Sequence, residues 1–218
     1  MTSSNVTAIA VAGALLSLGI AGAAVHAQTL APWRSVPTAV LTSGPAPVRL
    51  QLVEKLVWRG RDLDGDGQPD VADPTGQAPR GDDAYGEGRF HASRDGGQRR
   101  HEGVDYIATP GQAVEAPISG YVATIGYAYR DEHTLRFVEI KNPALRMTAR
   151  VFYVDPDVAV GDSVAVGRPI GHAQSLTRRY PHGITNHVHL ELADARGHKL
   201  DAETMITAQA EIETLSAD

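Results

Sequence analysis

Residues 104–200 predict a mainly β domain, an antiparallel sheet or sandwich, behind a loop-rich N-terminal extension. Three observations predict it. Short apolar runs recur at 113–116, 120–127, 134–141, 148–154, 163–171 and 187–193, each ended by Gly, Pro, Asn or Asp. The run TLRFVEIK at 134–141 alternates apolar and charged side chains, which is the period of a half-buried strand. No segment between 104 and 200 carries a long helical stripe. Six strands this closely spaced suit an antiparallel arrangement.

From the N-terminus, residues 1–27 read as a signal peptide. The stretch 8–25 is uncharged and rich in Ala, Leu and Gly, and Val25-His26-Ala27 ends it with a small residue before Gln28. Its length also approaches that of a membrane anchor, and residues 1–7 hold no Lys or Arg. Under either reading the remainder lies outside the cytoplasm, secreted, periplasmic or in the cell envelope. A membrane is a partner only if the leader is retained. Residues 28–59 form a linker, marked by Pro32, Pro37, Pro45 and Pro47, and a short element at 48–58 whose apolar spacing fits a strand or a helix. Residues 60–85 are an Asp/Gly-rich loop region, 86–200 the folded domain, beginning near Phe90, and 201–218 a tail. In that tail Glu203, Glu211 and Glu213 interleave with Ala and Ile, a pattern open to a helix.

Of the 218 residues, 42% are hydrophobic and 6% aromatic, so a core must rest on Val, Ile, Leu and Ala. The net charge of −6 argues against a nucleic-acid partner, which asks for a basic face. There is no cysteine. An exported chain without disulfides is held by its core or by metals.

Two constellations offer metal ligands. His101 and Asp105 stand four apart on extended chain, and His187 and His189 two apart, so each pair shares one face of a strand. Val188 and Leu190 then face a core. Two such strand ends supply four groups: three to hold zinc and one to move protons. The second constellation is DLDGDGQPDVAD at 62–73. Asp62, Asp64, Asp66, Asp70 and Asp73 occupy calcium-loop positions 1, 3, 5, 9 and 12, Gly67 the turn position and Gln68 position 7. Pro69 and Pro74 oppose flanking helices, so a structural calcium loop is expected, not a paired helix–loop–helix.

The segment HEGVDYIATPGQAVEAPISGYV (101–122) resembles the first signature of the M23, or lysostaphin-type, metallopeptidases. There a His-x-x-x-Asp pair precedes a Gly-x-x-Val-x-Ala-Pro-x-x-Gly hairpin. NHVHLEL (186–192) resembles the family's final His-x-His strand, and GDSVAVGRPIG (161–171) its Gly-rich turn. The resemblance spans about residues 86–194. It implies an M23-like β fold, zinc on His101, Asp105 and His189, and a catalytic His187. The implied activity is endopeptidase cleavage of peptide cross-links, chiefly in peptidoglycan.

One feature of the family is missing. Its usual second histidine, in Tyr-x-His-Leu, has no counterpart in ARVFYVDP (149–156). RVFYVDP and RRYPHGITNHVHLE (178–191) resemble the M23 branch that includes leukocyte cell-derived chemotaxin 2, a zinc-binding member that also lacks it. Tyr153 is the first candidate to substitute, because a phenol donates to an oxyanion without titrating near pH 7. His133 and His182 are alternatives from loops. Glu191, two residues past His189, is a candidate to orient that ligand. The expected function is a secreted zinc metalloendopeptidase acting on peptidoglycan or another peptide, weakened by the lost histidine. The alternative is a zinc-stabilised module that binds cell wall or protein without catalysis.

Overall fold

The computed structural model describes residues 33–35, 39–41 and 48–216, and the side chains of 51–215. The leader at 1–27 and most of the linker lie outside the described residues, all of which belong to one compact unit, Pro32–Asp218. Among them no helix is long and apolar enough to cross a membrane.

Among the described residues the regular structure is almost all antiparallel strand. In order the strands are β1 (Trp33–Ser35), β2 (Ala39–Leu41), β3 (Val48–Gly60), β4 (Ser93–Arg94), β5 (Arg99–Arg100), β6 (Val104–Ile107), β7 (Ala113–Glu115) and β8 (Gly120–Tyr127). There follow β9 (Arg136–Asn142), β10 (Met147–Phe152), β11 (Val154–Pro156), β12 (Ser163–Val164), β13 (Pro169–Ala173), β14 (His187–Asp194), β15 (Lys199–Leu200) and β16 (Ile206–Ser216). The main sheet runs β12-β8-β9-β10-β14-β15, and β6 pairs the first half of β14. A smaller sheet, β11-β13-β7, accompanies it.

Burial explains why these strands form. Along β10 the pattern alternates strictly, with Met147, Ala149 and Val151 buried and Thr148, Arg150 and Phe152 less so. Val122, Val138, Ile140, Leu190 and Leu192 join them in one core with no exposed surface. Each such aliphatic side chain contributes about 1.5–3 kcal/mol by leaving water. The outer face of the sheet is charged: Arg150 pairs Glu139, and Lys199 pairs Glu191.

One reading left open is decided, and two expectations need correction. The element at 48–58 is a strand, part of β3. The tail read as a helix is mostly β16, which pairs β3 over eleven residues, preceded by one short 3-10 turn, Ala202–Thr204. Period two, not Glu/Ala composition, decides it: Ile206, Ala208, Ala210 and Ile212 share one face and Thr207, Gln209, Glu211 and Glu213 the other. Finally, the folded domain begins well before residue 86. Val71 bridges Ile118 in the core, and Pro79 bridges Tyr106 on the edge of β6. The Arg80 N–H bonds the Asp105 carbonyl at 2.7 Å, and the Asp105 N–H bonds the Gly88 carbonyl at 2.9 Å. The loop at 78–88 is thus stitched to the strand that carries Asp105.

Candidate metal centre

β6 and β14 set the site. Their register places His189 opposite Asp105 and His187 opposite Ile107. His187, His189 and Asp105 therefore share one face, as the period-two argument requires. His101 comes in from just before β6, where Gly103 lets the chain pass close under β14. A Cβ on Gly103 would meet the Leu190 carbonyl oxygen at 2.2 Å and His189 Cε1 at 2.8 Å.

Three ligand atoms converge. His101 Nε2 lies 2.9 Å from His189 Nδ1, His189 Nδ1 lies 2.8 Å from Asp105 Oδ1, and His101 Nε2 lies 3.2 Å from Asp105 Oδ1. These are the three expected zinc ligands, brought together as a group. His187 Nε2 stands beside them, 3.6 Å from Asp105 Oδ1. Neighbouring groups fix the rings. His101 Nδ1 donates to the Arg89 carbonyl at 2.8 Å, which leaves Nε2 as a lone pair. His187 Nδ1 donates to the Thr185 carbonyl at 2.8 Å, so its Nε2 also presents a lone pair. His189 turns Nε2 toward Glu191, 3.5 Å away.

The charges of the cluster are strongly coupled. Burial alone would raise the Asp105 pKa, but the imidazoles of His101, His189 and His187 beside it hold it well below the usual carboxylate range. Burial opposes the charge on His189, yet its bonds to Asp105 and Glu191 prevail and push it up to about 9. Glu191, despite burial, is held down to about 2 by His189 and Lys199. His187 goes the other way: burial lowers it, against the pull of Asp105, and the ring is neutral near pH 7.

Sequence reasoning missed Arg80. Its guanidinium is buried and grips the outer oxygen of Asp105, with Nη2 at 2.8 Å and Nε at 3.3 Å from Oδ2. Nη1 reaches the Gly86 carbonyl and Asp83 Oδ2, each at 2.7 Å. An arginine in an aperiodic loop carries no pattern that announces such a partner.

The site opens into a cleft of about 490 Å³. Tyr153 lines it, at the junction of β10 and β11, edge-on to His187 with ring centroids 5.5 Å apart. Its backbone is left-handed, φ 68°, and is pinned on both sides: its N–H bonds the Arg136 carbonyl and its carbonyl accepts from Gln174. Tyr129 and Tyr180 line the same cleft, and sequence reasoning singled out neither. His133 packs on Tyr127, and His182 is exposed with its N–H on the Tyr85 hydroxyl; neither lines the cleft.

The acidic loop is gathered only in part. Asp62, Asp64 and Asp70 bring carboxylate oxygens together. Asp62 accepts the N–H groups of Gly65 and Gly67, at 2.6 and 2.8 Å, and Asp66 accepts that of Gln68 at 2.7 Å. Asp66 and Asp73 stand outside the cluster. Asp73, expected as the closing ligand, is buried in the domain and takes the N–H and hydroxyl of Thr75 and the N–H of Gly76. Its position in the spacing fitted a calcium loop, but the chain turns into the core at Val71 and carries it away.

Residues 99–202 match the model for peptidase family M23. The chain is 32% identical over 118 residues to leukocyte cell-derived chemotaxin-2 of Mus musculus, covering 52% of this chain and 72% of that protein. For the same protein of Bos taurus the figures are 28% over 117 residues, 51% and 71%. Among solved structures, the NMR solution structure of lysostaphin aligns at 20% identity and a TM-score of 0.43, over 53% of this chain and 47% of that one.

Proposed function

The chain belongs to peptidase family M23, and from that membership we propose that it is an exported zinc endopeptidase acting on the cross-link peptides of peptidoglycan. The observation that carries the reading is the triangle of donor atoms with His187 beside it. Donors sharing one tetrahedral zinc at bond lengths of about 2.0 Å stand about 3.3 Å apart. The edges here, 2.8, 2.9 and 3.2 Å, are close to that. Two imidazoles and a carboxylate also form a donor set that suits zinc. His101, Asp105 and His189 would hold the ion.

Zinc, when bound, supplies Lewis acidity to polarise a carbonyl and acidify water. The protein's own groups supply the rest. His187, neutral and with Nε2 facing the ligands, accepts a proton as a general base and returns it to the leaving amine. Arg80 and Glu191 hold Asp105 and His189 in place. Tyr153 stands where the missing histidine would be sought and donates a hydrogen bond to the oxygen that gains charge. Loss of one such donor costs about 10²–10³ in rate, so its presence matters more here than in a site with two histidines.

The test is incubation of zinc-loaded protein with purified peptidoglycan and a mixed peptide library, read by mass spectrometry for new termini, with Asp105→Ala as control. New termini that vanish in the control support the reading. Stoichiometric zinc with no new termini would leave the zinc-stabilised binding module instead.

For the acidic loop we infer a weaker calcium site on Asp62, Asp64 and Asp70 alone, whose role is to order the approach to the domain. If added calcium leaves both melting temperature and protease resistance unchanged, the loop is a hydrogen-bonded turn and nothing more.

A further inference from the structure

We infer that Asp83 is a positioning residue that locks the base, His187, to the metal ligand Asp105 in one frame. Its carboxylate binds both the arginine that grips Asp105 and the backbone that carries the acceptor of the His187 ring. The inference rests on the metal-site reading above, and it gives the loop at 78–88 a part in the chemistry.

The His187 ring is only as fixed as the carbonyl it leans on. Nδ1 donates to the Thr185 carbonyl at 2.8 Å. Thr185 precedes β14 and lies in no strand, so outside anchors must hold it. Its N–H donates to Asp83 Oδ2 at 2.8 Å. The same oxygen takes Arg80 Nη1 at 2.7 Å, and Arg80 Nη2 donates to Asp105 Oδ2 at 2.8 Å. Four short contacts thus run from the metal ligand through Arg80, Asp83 and Thr185 to the base.

The next residue, Asn186, is anchored elsewhere. Its side-chain nitrogen donates to the carbonyls of Ala108 and Gln174, and its side-chain oxygen accepts the Leu176 N–H. Asp83 therefore fixes one side of this segment and Asn186 the other. The turn that holds Asp83 also touches the loop before β14 through Tyr85. That ring packs edge-on to Tyr180, with centroids 5.0 Å apart, and its hydroxyl accepts the His182 N–H at 3.3 Å. Loss of the Asp83 carboxylate is thus expected to release Thr185 while the two loops and β14 stay in place.

The position asks for a carboxylate and not merely a polar side chain. Oδ2 faces the Arg80 guanidinium and the Thr185 N–H, and Oδ1 accepts the Tyr85 N–H at 2.8 Å. All three partners are donors. An ionised carboxylate accepts at both oxygens, whereas an amide in either orientation turns its NH2 onto a donor. Burial opposes the charge, but the N–H groups of Thr185 and Tyr85 and the Arg80 guanidinium hold the Asp83 carboxyl below its ordinary range. Hydrogen bonds to an ionised acceptor are about twice as strong as neutral ones. With only 8% of the side chain exposed, water competes little for them.

The experiment compares zinc-loaded wild type with Asp83→Asn, Asp83→Ala and Asp82→Asn, the last changing the exposed neighbouring carboxylate as a control. Nitrogen NMR of the histidine rings, assigned with His187→Gln, reads the His187 tautomer. Amide exchange reads the Thr185 N–H, and peptide hydrolysis reads kcat and KM. Wild type and Asp82→Asn are expected to show one His187 tautomer, with hydrogen on Nδ1, and a slowly exchanging Thr185 amide. Both Asp83 variants are expected to show mixed tautomers and exchange of the Thr185 amide about 10-fold faster or more. Their kcat is expected to fall about 10-fold, with KM within about 2-fold of wild type and zinc still stoichiometric. Should Asp83→Ala fail to fold, the isosteric Asp83→Asn carries the comparison. A single Nδ1–H tautomer in the Asp83 variants, losses matched by Asp82→Asn, or rate losses explained wholly by lost zinc would overturn the inference. If wild type releases no new termini while the tautomer and exchange pattern holds, the peptidase reading fails and the clamp stands.

Discussion

Asp105 takes part in two structures at once. One oxygen joins the donor triangle, and the other is gripped by the buried Arg80. Removing the guanidinium leaves Asp105 and Asp83 without their buried partner. Arg80→Met is expected to weaken zinc binding about 10–100-fold, measured by competition against a chelating dye, and to cost about 3–5 kcal/mol of stability. Asp73 gives the opposite kind of residue-scale effect. Burial raises its pKa to about 6 in the fold, and one carboxylate oxygen has no hydrogen-bond partner. An acid raised above its unfolded value of 3.8 stabilises the fold below that value, and the contribution is lost as pH rises through about 6. Asp73→Asn should therefore gain about 1–3 kcal/mol on wild type between pH 4 and pH 8. Melting curves at the two pH values that run parallel for both proteins would refute it. The convergence of Asp105, His187 and His189 was readable because a strand's period of two sorts side chains by face. Arg80 was not, since its partner is 25 residues away and its loop has no period. Asp73 was misread because spacing alone does not show where a chain leaves a loop for a core.

At the scale of elements, the pairing of β6 with β14 builds the site, and Gly103 permits their close approach. A methyl group at 2.2 Å from the Leu190 carbonyl oxygen cannot be accommodated by a side-chain rotation; the strand must move. Gly103→Ala is expected to separate His101 from Asp105 and His189 and to abolish stoichiometric zinc binding, scored by metal analysis of the purified protein. Strands such as β8 and β14 were legible because alternation and terminal Gly or Asp agree with each other. The run at 163–171 was not: it is two strands, β12 and β13, joined through a turn with Gly167 at φ 73°. The tail failed for a different reason. Ala and Glu have good helix propensity, but β3 offers a partner for the whole length of β16, and tertiary pairing outweighs propensity. The link from Asp83 to Thr185 was invisible in the sequence because it joins two loops across 102 positions.

Across the whole molecule, the domain is bracketed by the ribbon of β3 and β16. Ile206 is sealed in the core, but from Thr207 onward β16 is largely exposed and pairs β3. Ending the chain after Thr207 is therefore expected to lower the melting temperature by less than about 4 °C and to leave zinc content unchanged, checked by calorimetry and metal analysis. A large loss of stability would mean that the ribbon supports the core. The ribbon's register also has a mechanical consequence. Gly60 meets Ile206 at the end next to the domain, and Leu50 meets Ser216 at the far end. The two strands thus leave the domain side by side and end together. Tension applied between those far ends peels the ribbon open one pair at a time, like a zipper, and does not shear all eleven pairs at once. Strands β6 and β14 would feel no pull until the zipper has run out, so the ribbon would act as a fuse that extends first and spares the site.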